Sequence, residues 1–339
     1  MKKIKVEDKW IGEGEPTFII AEVGSNHDGS LKQAKRLIEL ARQAGADAVK
    51  FQSFQAEKLI NRQKLPDAYR KISRLFLPDE WHFKLAEYAK DQEIIFLSTP
   101  FDIERANLLN EIGVGVFKIA SGDLTFYSLI EHIARFKKPI LLSTGMAYLD
   151  EVEKAVNVIK GENNEEIVLL HCVSTYPAKL EDANIRAMVS MRDIFNLPVG
   201  FSDHTPGYVT SLGAVALGAC VIEKHITLSR NLDGPDHPFA LEVDEFAEMV
   251  KKIRDLEKAL GDGEKKPTSA EMPERKFARR GIYARCDIPR GTILKHEMIK
   301  MVRPACDGFK DLREILNKKT KVNIKKDELI TAEKICEEI

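Results

Sequence analysis

The chain has 339 residues, of which 44% are apolar and 31% charged, as in globular proteins with one large domain and one small one. Its net charge of −1, from 52 basic and 53 acidic residues, gives no overall field that would attract nucleic acid. The longest apolar runs are strand-length, well short of the ~20 residues of a membrane span. We therefore expect neither nucleic acid nor a membrane as a partner.

The N-terminal segment MKKIKVEDKWIGEGEP starts with basic residues but lacks a following apolar stretch, so it does not resemble a signal peptide. The cysteines are scattered and form no CxxC pair: Cys172, Cys220, Cys286, Cys306 and Cys336. An odd number of distant cysteines argues against a disulfide framework. We expect a protein of the reducing cytoplasm.

One unit occurs eight times between residue 17 and about residue 260: a short apolar run, a polar end and then a segment with helical periodicity. The runs are TFIIAEV, ADAVKF, IIFLS, GVFKIA, PILLS, IVLLHCV, PVGFS and CVIEKHI. Such continuous apolar runs are typical of strands buried on both faces. The alternation predicts an α/β fold, a (β/α)8 TIM barrel. A doubly wound open sheet is the alternative, but the GxGxxG and GxxxxGK[ST] loops are absent.

A smaller unit follows the predicted barrel. Residues 263–280 interrupt this alternation with glycine, proline and alternating charges, which predicts a linker between a barrel domain (1–262) and a small domain (281–339). The small domain contains the strand-like pieces GIYAR, TILK and MIKMV and a helical pattern near KDLREIL. A domain of this size would be marginal alone, so we expect it to pack on a barrel.

Polar residues end the apolar runs, and the active site of a barrel forms at the C-terminal ends of its strands. These ends carry Glu22, Lys50, Gln52, Thr99, Lys118, Ser121, Ser143, Thr144, Ser174, Tyr176, His204 and His225. Most lysines are solvated, but Lys50 and Lys118 lie inside apolar runs, where an ammonium must meet a buried anion. The hydroxyl residues are ambiguous, because serine and threonine at strand ends often cap the next helix.

Two histidines follow successive strands of one strand–helix–strand unit, residues 198–238. Either His204 or His225 alone would most simply be a hydrogen-bonded side chain. Neighbouring parallel strands lie about 4.8 Å apart, however, so two imidazoles at matched positions could share one metal ion. The matched positions favour a metal site.

The segments IIAEVGSNHDGS, ADAVKFQSF, LSTPFD, FKIASGD, LLSTGM, HCVSTYPA, GFSDHTPG, ALGACVIEKHITLSRNLDGPDH and RRGIYARCDIPRGTIL span nearly the whole chain. In this order they resemble the sialic acid synthase family, which includes N-acetylneuraminate, legionaminate and pseudaminate synthases. The resemblance implies a barrel with a C-terminal antifreeze-like (SAF) domain. It also implies condensation of phosphoenolpyruvate with an N-acetylated hexosamine, which gives a nine-carbon 2-keto acid and phosphate.

The resemblance also implies roles for individual residues. Those expected around the anionic groups of phosphoenolpyruvate are Lys50, Thr99, Lys118, Ser121 and Ser202, and Ser143 is expected to contact substrate without an assigned group. Those expected near the sugar are Glu22, Gln52, Ser174, Tyr176 and Asp236, and Glu22 could instead transfer a proton. His204 and His225 would hold a divalent metal, Mn2+ or Mg2+, that polarises the sugar aldehyde. Carbon C3 of phosphoenolpyruvate would attack this aldehyde, water would add at C2, and phosphate would leave by C–O cleavage.

In the family the small domain of one subunit covers the site of the other, and Arg303 matches an arginine that contacts the N-acetyl group of the sugar. We therefore expect a domain-swapped homodimer, although Arg303 could be a solvated surface residue. Ser174 departs from the polar residue that neuraminate-making members often carry, which leaves mannosamine-type and diacetamido-type sugars as alternatives. Two other functions stay open: condensation of phosphoenolpyruvate with a phosphorylated aldose, and a non-catalytic sugar- or ice-binding module.

Overall fold

The computed structural model describes residues 2–306 and 308–336. The chain divides into two units, Met1–Gly261 and Asp262–Ile339, which are described separately below. The strands are β1 (Ile4–Val6), β2 (Lys9–Ile11), β3 (Phe18–Gly24), β4 (Ala48–Ser53), β5 (Ile95–Pro100), β6 (Phe117–Ile119), β7 (Ile140–Ser143), β8 (Ile167–Cys172), β9 (Val199–Asp203), β10 (Val221–Thr227), β11 (Leu241–Glu242), β12 (Gly281–Ala284) and β13 (Ile299–Val302). The helices are α1 (Leu31–Gln43), α2 (Ala56–Leu59), α3 (Pro66–Ile72), α4 (Asp79–Asp91), α5 (Ile103–Ile112), α6 (Tyr127–Ala134), α7 (Leu149–Gly161), α8 (Arg186–Phe195), α9 (Val209–Ala216), α10 (Val243–Leu260) and α11 (Glu271–Ala278).

The first unit is a nearly closed barrel of parallel strands. Its strands pair in the order β5-β4-β3-β10-β9-β8-β7-β6. The Cα atoms of β5 and β6 approach within 8 Å, which brings the two ends of the sheet together. The eight strands coincide with the eight apolar runs, so the predicted (β/α)8 barrel is confirmed.

Helix α1 illustrates how the local sequence forms the outer layer. Ser30 precedes the helix, and its side chain accepts a hydrogen bond from the backbone N–H of Gln33. Leu37 and Ile38 are fully buried against the strands. Gly45 follows the helix with a φ of +87°, a left-handed conformation that glycine adopts without strain. The helix is therefore fixed at both ends and along one face.

An antiparallel hairpin of β1 and β2 precedes the barrel and was not predicted. Its buried residues Ile4, Val6 and Ile11 join a hydrophobic cluster with the first residues of the barrel strands, such as Phe18 and Ala48. The hairpin thus covers the N-terminal end of the barrel. Strands of three residues are too short to show a period in the sequence, which explains why it was missed.

The second unit has its own core. Strands β12 and β13 pair antiparallel, and isolated bridges, such as the one between Ile293 and Lys319, connect the remaining segments. The helix predicted near KDLREIL is wrong: only a single 3-10 turn forms there, Leu312–Glu314. Asn317 takes a φ of +67°, and its N–H donates to the carbonyl of Leu294, so tertiary pairing ends the turn.

The segment predicted to be a linker, residues 263–280, contains α11, a helix without buried residues that the sequence did not lead us to expect. Its first turn carries Glu271 and Glu274 and its last turn Arg275 and Lys276, a charge order that favours a helix even without burial. None of the helices in the described ranges combines the length and hydrophobicity needed to cross a membrane.

Candidate active site

The register of the barrel strands aligns several predicted residues in one layer. Glu22 of β3 lies opposite Lys50 of β4 on one side and opposite His225 of β10 on the other. Gln52 lies opposite Thr99 of β5. Because parallel strands carry their side chains at matching heights, residues far apart in the chain meet at one end of the barrel. Two large clefts, of about 940 and 870 Å3, lie at the opposite end and contain none of the predicted residues.

Four charged side chains form a buried cluster inside this end of the barrel. The Nζ atom of Lys50 lies 2.9 Å from Glu22 Oε2 and 3.3 Å from Glu223 Oε2. It also donates to Thr99 Oγ1 at 3.1 Å. The Nζ atom of Lys118 lies 3.7 Å from Glu223 Oε1. Lys50 is 3% exposed and Lys118 is 4% exposed, so each lysine meets a carboxylate away from water.

The environment separates the acidities of the two carboxyl groups. Burial raises the pKa of Glu22 to about 7, although Lys50 opposes this rise. Burial also raises the pKa of Glu223, but the charges of Lys118 and Lys50 outweigh this effect. The pKa of Glu223 is therefore lowered to about 2. Glu223 therefore stays ionised, while Glu22 is the weaker acid of the pair.

Glu223 belongs to this cluster but was not among the residues predicted for the site. It accepts a hydrogen bond from Ser202 Oγ at 2.8 Å, so it connects the predicted anion-site serine to both lysines. A signal was present: Glu223 and His225 are two residues apart in β10, and alternate residues of a strand face the same side. Counting from His225 would have placed Glu223 inside the barrel.

Three further side chains converge on Gly145, at the ends of β6, β7 and β8. The Gly145 N–H donates to Ser121 Oγ at 3.0 Å, and Ser121 Oγ lies 3.1 Å from Cys172 Sγ. A methyl group at Gly145 would lie 2.2 Å from Ser174 Oγ and 2.8 Å from Ser121 Oγ. Glycine is therefore required for this close approach. Ser143 is buried at the last position of β7.

The residues expected near the sugar lie around Glu22 and the two histidines. Gln52 Nε2 donates to Glu22 Oε1 at 3.2 Å. Asp236 Oδ2 accepts hydrogen bonds from the backbone N–H and the hydroxyl of Ser25, at 2.9 and 2.8 Å. The Tyr176 ring centroid lies 4.5 Å from that of His204, and the side chain is 56% exposed. This group is thus more open to solvent than the lysine cluster.

The histidines fit a divalent ion by three criteria. Their ring centroids lie 5.6 Å apart. His204 Nδ1 donates to the Val173 carbonyl at 2.8 Å, which leaves Nε2 with a free lone pair, and the buried Nδ1 of His225 has no hydrogen-bond partner. Burial lowers the pKa of both rings, that of His225 to about 3, and a neutral imidazole is the ligand form. No cluster of three or more metal-binding side chains occurs among the described residues, so water and substrate would complete the coordination.

Residues 37–265, most of the barrel, match the NeuB family, and residues 279–335 match the SAF domain. The chain belongs to the NeuB family. This membership bears out the resemblance seen in the sequence.

The relatives of this NeuB-family chain are named as synthases of sialic-type acids. It is 44% identical to the N,N'-diacetyllegionaminic acid synthase of Campylobacter jejuni, over 93% of this chain and 98% of the relative. It is 34% identical to the N-acetylneuraminate-9-phosphate synthase of Homo sapiens, over 96% and 94%. The crystal structure of an N-acetylneuraminic acid synthetase from Leptospira borgpetersenii in complex with citrate superposes with a TM-score of 0.77 at 37% identity, over 80% of this chain and 95% of that one.

A more distant structure bears on the alternative with a phosphorylated aldose. A truncated 3-deoxy-D-arabino-heptulosonate 7-phosphate synthase from Thermotoga maritima has a TM-score of 0.63 but only 18% identity, over 77% of this NeuB-family chain and 93% of its own. At that identity the likeness shows a shared fold and nothing about function. The alternative is therefore supported only at the level of the barrel.

Two more residues of this NeuB-family chain, Arg303 and Asp123, lie outside the clusters described above. Arg303 is exposed in the second unit, directly after β13, so the first unit by itself does not contain every residue predicted for the site. Asp123, which was not predicted, follows Ser121 by two positions, and its buried Oδ2 has no hydrogen-bond partner. Burial raises the pKa of Asp123 to about 6, although Lys118 opposes this. Its position beside a predicted strand end was the available signal.

Proposed function

We propose that this enzyme condenses phosphoenolpyruvate with an N-acetylated hexosamine to give a nine-carbon 2-keto acid and inorganic phosphate. The observation that carries the proposal is the buried lysine cluster at the C-terminal end of a NeuB-family barrel, beside two neutral imidazoles. One substrate with two anionic groups and a second with an electrophilic aldehyde need this combination. The names of the relatives support the same reaction class.

The lysines are the proposed anion site. Lys50 and Lys118 would bind the phosphate and the carboxylate of phosphoenolpyruvate, with hydroxyl donors from Thr99, Ser121, Ser143 and Ser202. Charge-assisted hydrogen bonds are stronger in a pocket without water, and both ammonium groups are almost fully buried. Donors held in place before the reaction stabilise charge that develops at the departing phosphate.

The histidines are the proposed metal ligands. His204 and His225 would hold Mn2+ or Mg2+, the ions that the family resemblance implies. When bound, such an ion supplies a Lewis acid for the aldehyde oxygen of the sugar. The hydrogen bond from His204 Nδ1 to Val173 keeps that ring in one orientation. Tyr176 packs against the His204 ring and Asp236 is held by Ser25, so both would contact the sugar from fixed positions.

Glu22 is the proposed proton-transfer group. Its Oε2 lies 2.9 Å from Lys50 on the anion side, and its Oε1 accepts from Gln52 on the sugar side. A carboxyl group between the two substrates can exchange a proton with either. Gln52 would orient Glu22 and contact the sugar.

We further propose that the sugar is a diacetamido-dideoxy hexose, with N-acetylmannosamine as the alternative. The legionaminic acid synthase relative is more similar to this chain than the neuraminate-9-phosphate synthase relative is, 44% against 34% identity. The buried Oγ of Ser174 has no hydrogen-bond partner and would serve an additional polar group of the substrate. A domain-swapped homodimer and a cytoplasmic location stay predictions.

Phosphate release from phosphoenolpyruvate tests the proposal with three co-substrates: a diacetamido-dideoxy hexose, N-acetylmannosamine and a phosphorylated aldose. We expect the highest kcat/KM with the diacetamido sugar, and we expect chelation to abolish release while the protein stays folded. Release with the phosphorylated aldose alone would support the other class of condensing enzyme. Sugar binding without any release, with Mn2+ supplied, would support the non-catalytic module and contradict the proposal.

A further inference from the structure

A second ion pair lies behind the histidines, on the other face of the sheet. Asp203 and Lys224 are opposite each other in the register of β9 and β10, and their charged atoms lie 3.2 Å apart. Alternate residues of a strand face opposite sides, so this pair faces the helix layer while Ser202 and Glu223 face the barrel interior. Asp203 is 0% exposed and Lys224 is 1% exposed.

The pair is saturated with hydrogen bonds from the loop that follows β9. Asp203 accepts from the backbone N–H of Thr205 at 2.9 Å and from its hydroxyl at 2.7 Å. It also accepts from Thr210 and Ser211 in the first turn of α9, at 2.8 and 2.6 Å. Lys224 donates to the Thr205 carbonyl at 2.6 Å. The backbone N–H and the carbonyl of Thr205 are therefore held by the two members of one ion pair.

His204 lies between Asp203 and Thr205 in the chain, and His225 directly follows Lys224 in β10. The His204 carbonyl also accepts from the N–H of Ala178 at 2.9 Å, so its backbone has little freedom. A buried ion pair is weak evidence for stability, because apolar residues of similar volume often replace such a pair without loss. Its hydrogen-bond geometry, in contrast, defines one conformation of the turn that carries His204.

We propose that Asp203 and Lys224 are positioning residues that fix the separation and orientation of His204 and His225 for a divalent ion. This inference rests on the proposed role of the two histidines as metal ligands. Partners behind the metal ligands typically change metal affinity by about 10–100-fold when they are removed. Asp203 and Lys224 act through the backbone instead of through the imidazole nitrogens.

The test measures Mn2+ binding directly, by the free Mn2+ signal in electron paramagnetic resonance, and the Tm of the metal-free protein. We expect Asp203→Asn to raise the Kd for Mn2+ by about tenfold or more. The matched control is Asp47→Asn at the opposite end of the barrel, where Asp47 Oδ2 accepts from Ile19 N and Arg254 at 2.9 and 3.0 Å. The control should lower the Tm and leave the Kd within about twofold.

A milder variant, Thr205→Val, keeps the backbone N–H and removes the hydroxyl, and it should raise the Kd by a smaller factor. A folded Asp203→Asn protein with unchanged Mn2+ affinity would overturn the inference. If Asp203→Asn does not fold, an unchanged Kd for Mn2+ in Thr205→Val would overturn the inference instead. If the wild-type protein binds no Mn2+, or if His204→Ala binds it equally well, the metal assignment itself fails and the positioning role falls with it.

Discussion

The Oε2 atom of Glu223 lies 3.3 Å from the Nζ atom of Lys50, and both groups are buried. Glu223 also contacts Lys118, so one carboxylate partly neutralises two buried cations. If these lysines bind phosphoenolpyruvate, the substrate adds negative charge to a cluster that already contains the Glu223 carboxylate. Glu223 then has to keep the lysines charged and in place without blocking them.

We expect Glu223→Gln to destabilise the substrate-free protein by about 3–5 kcal/mol, because it leaves buried Lys118 without a carboxylate and Lys50 with Glu22 alone. Saturating phosphoenolpyruvate restores negative charge, so it should raise the Tm of the variant more than that of the wild type. Glu257→Gln, at the opposite end of the barrel, removes a carboxylate that Arg254 contacts at 2.9 Å and serves as the control. If phosphoenolpyruvate raises the Tm of Glu223→Gln by the same amount as that of the wild type or by less, this role of Glu223 is refuted.

The stability of Asp123→Asn should depend on pH relative to the wild type. Burial raises the pKa of Asp123 to about 6 from 3.8, so the folded protein favours the protonated form. The stabilisation from that proton is complete below about pH 4 and is lost as the pH rises through about 6. The variant should therefore gain about 1–2 kcal/mol over the wild type between pH 4 and pH 7, after allowance for partial exposure. Urea unfolding at several pH values measures this, and a pH-independent difference would speak against it.

A substitution at Gly24 tests the packing beside Asp236 and His225, the proposed sugar contact and metal ligand. It has a φ of +54°, and a methyl group there would lie 2.5 Å from Asp236 Oδ2 and 3.3 Å from His225 Cε1. We expect Gly24→Ala to lower kcat/KM by about 100-fold, the cost of misplacing groups by about 1 Å. Gly113 has a φ of +89° and no atom within 4 Å of such a methyl group, so Gly113→Ala should reduce stability only. Similar kcat/KM losses in both variants would show that backbone strain alone is responsible.

The predicted exchange of tails can be tested by mixing two inactive chains. Arg303→Ala should lack the contact to the N-acetyl group, and Lys118→Ala should lack an anion-site cation. In a domain-swapped heterodimer one site carries both lesions and the other carries neither, so phosphate release should return in part. If heterodimers form, as judged by differently tagged chains, and release does not return, Arg303 acts within its own chain or has no such role.

The barrel was predictable from the sequence because buried parallel strands leave continuous apolar runs, and eight of them alternate with helices. The polar ends of the same runs predicted Lys50, Lys118 and both histidines as neighbours. The contact of Glu223 with Lys118 was not predictable in this way, because it depends on distances between β10 and β6 that no local period encodes. The prediction of a helix near KDLREIL was wrong for the same reason, since the hydrogen bond between Asn317 and Leu294 overrides the local helix preference.

The hairpin of β1 and β2 closes one end of the barrel, so its interior is open only at the C-terminal ends of the strands. Ile4, Val6 and Ile11 cover one end, and the lysines lie deeper from the other end than Tyr176, which is 56% exposed. Access from one side imposes an order in time. If the lysines bind phosphoenolpyruvate as proposed, this substrate has to enter before the sugar, and inorganic phosphate leaves only after the keto acid. We expect a sequential ordered mechanism, in which phosphate competes with phosphoenolpyruvate while the keto acid does not, as product-inhibition patterns would show.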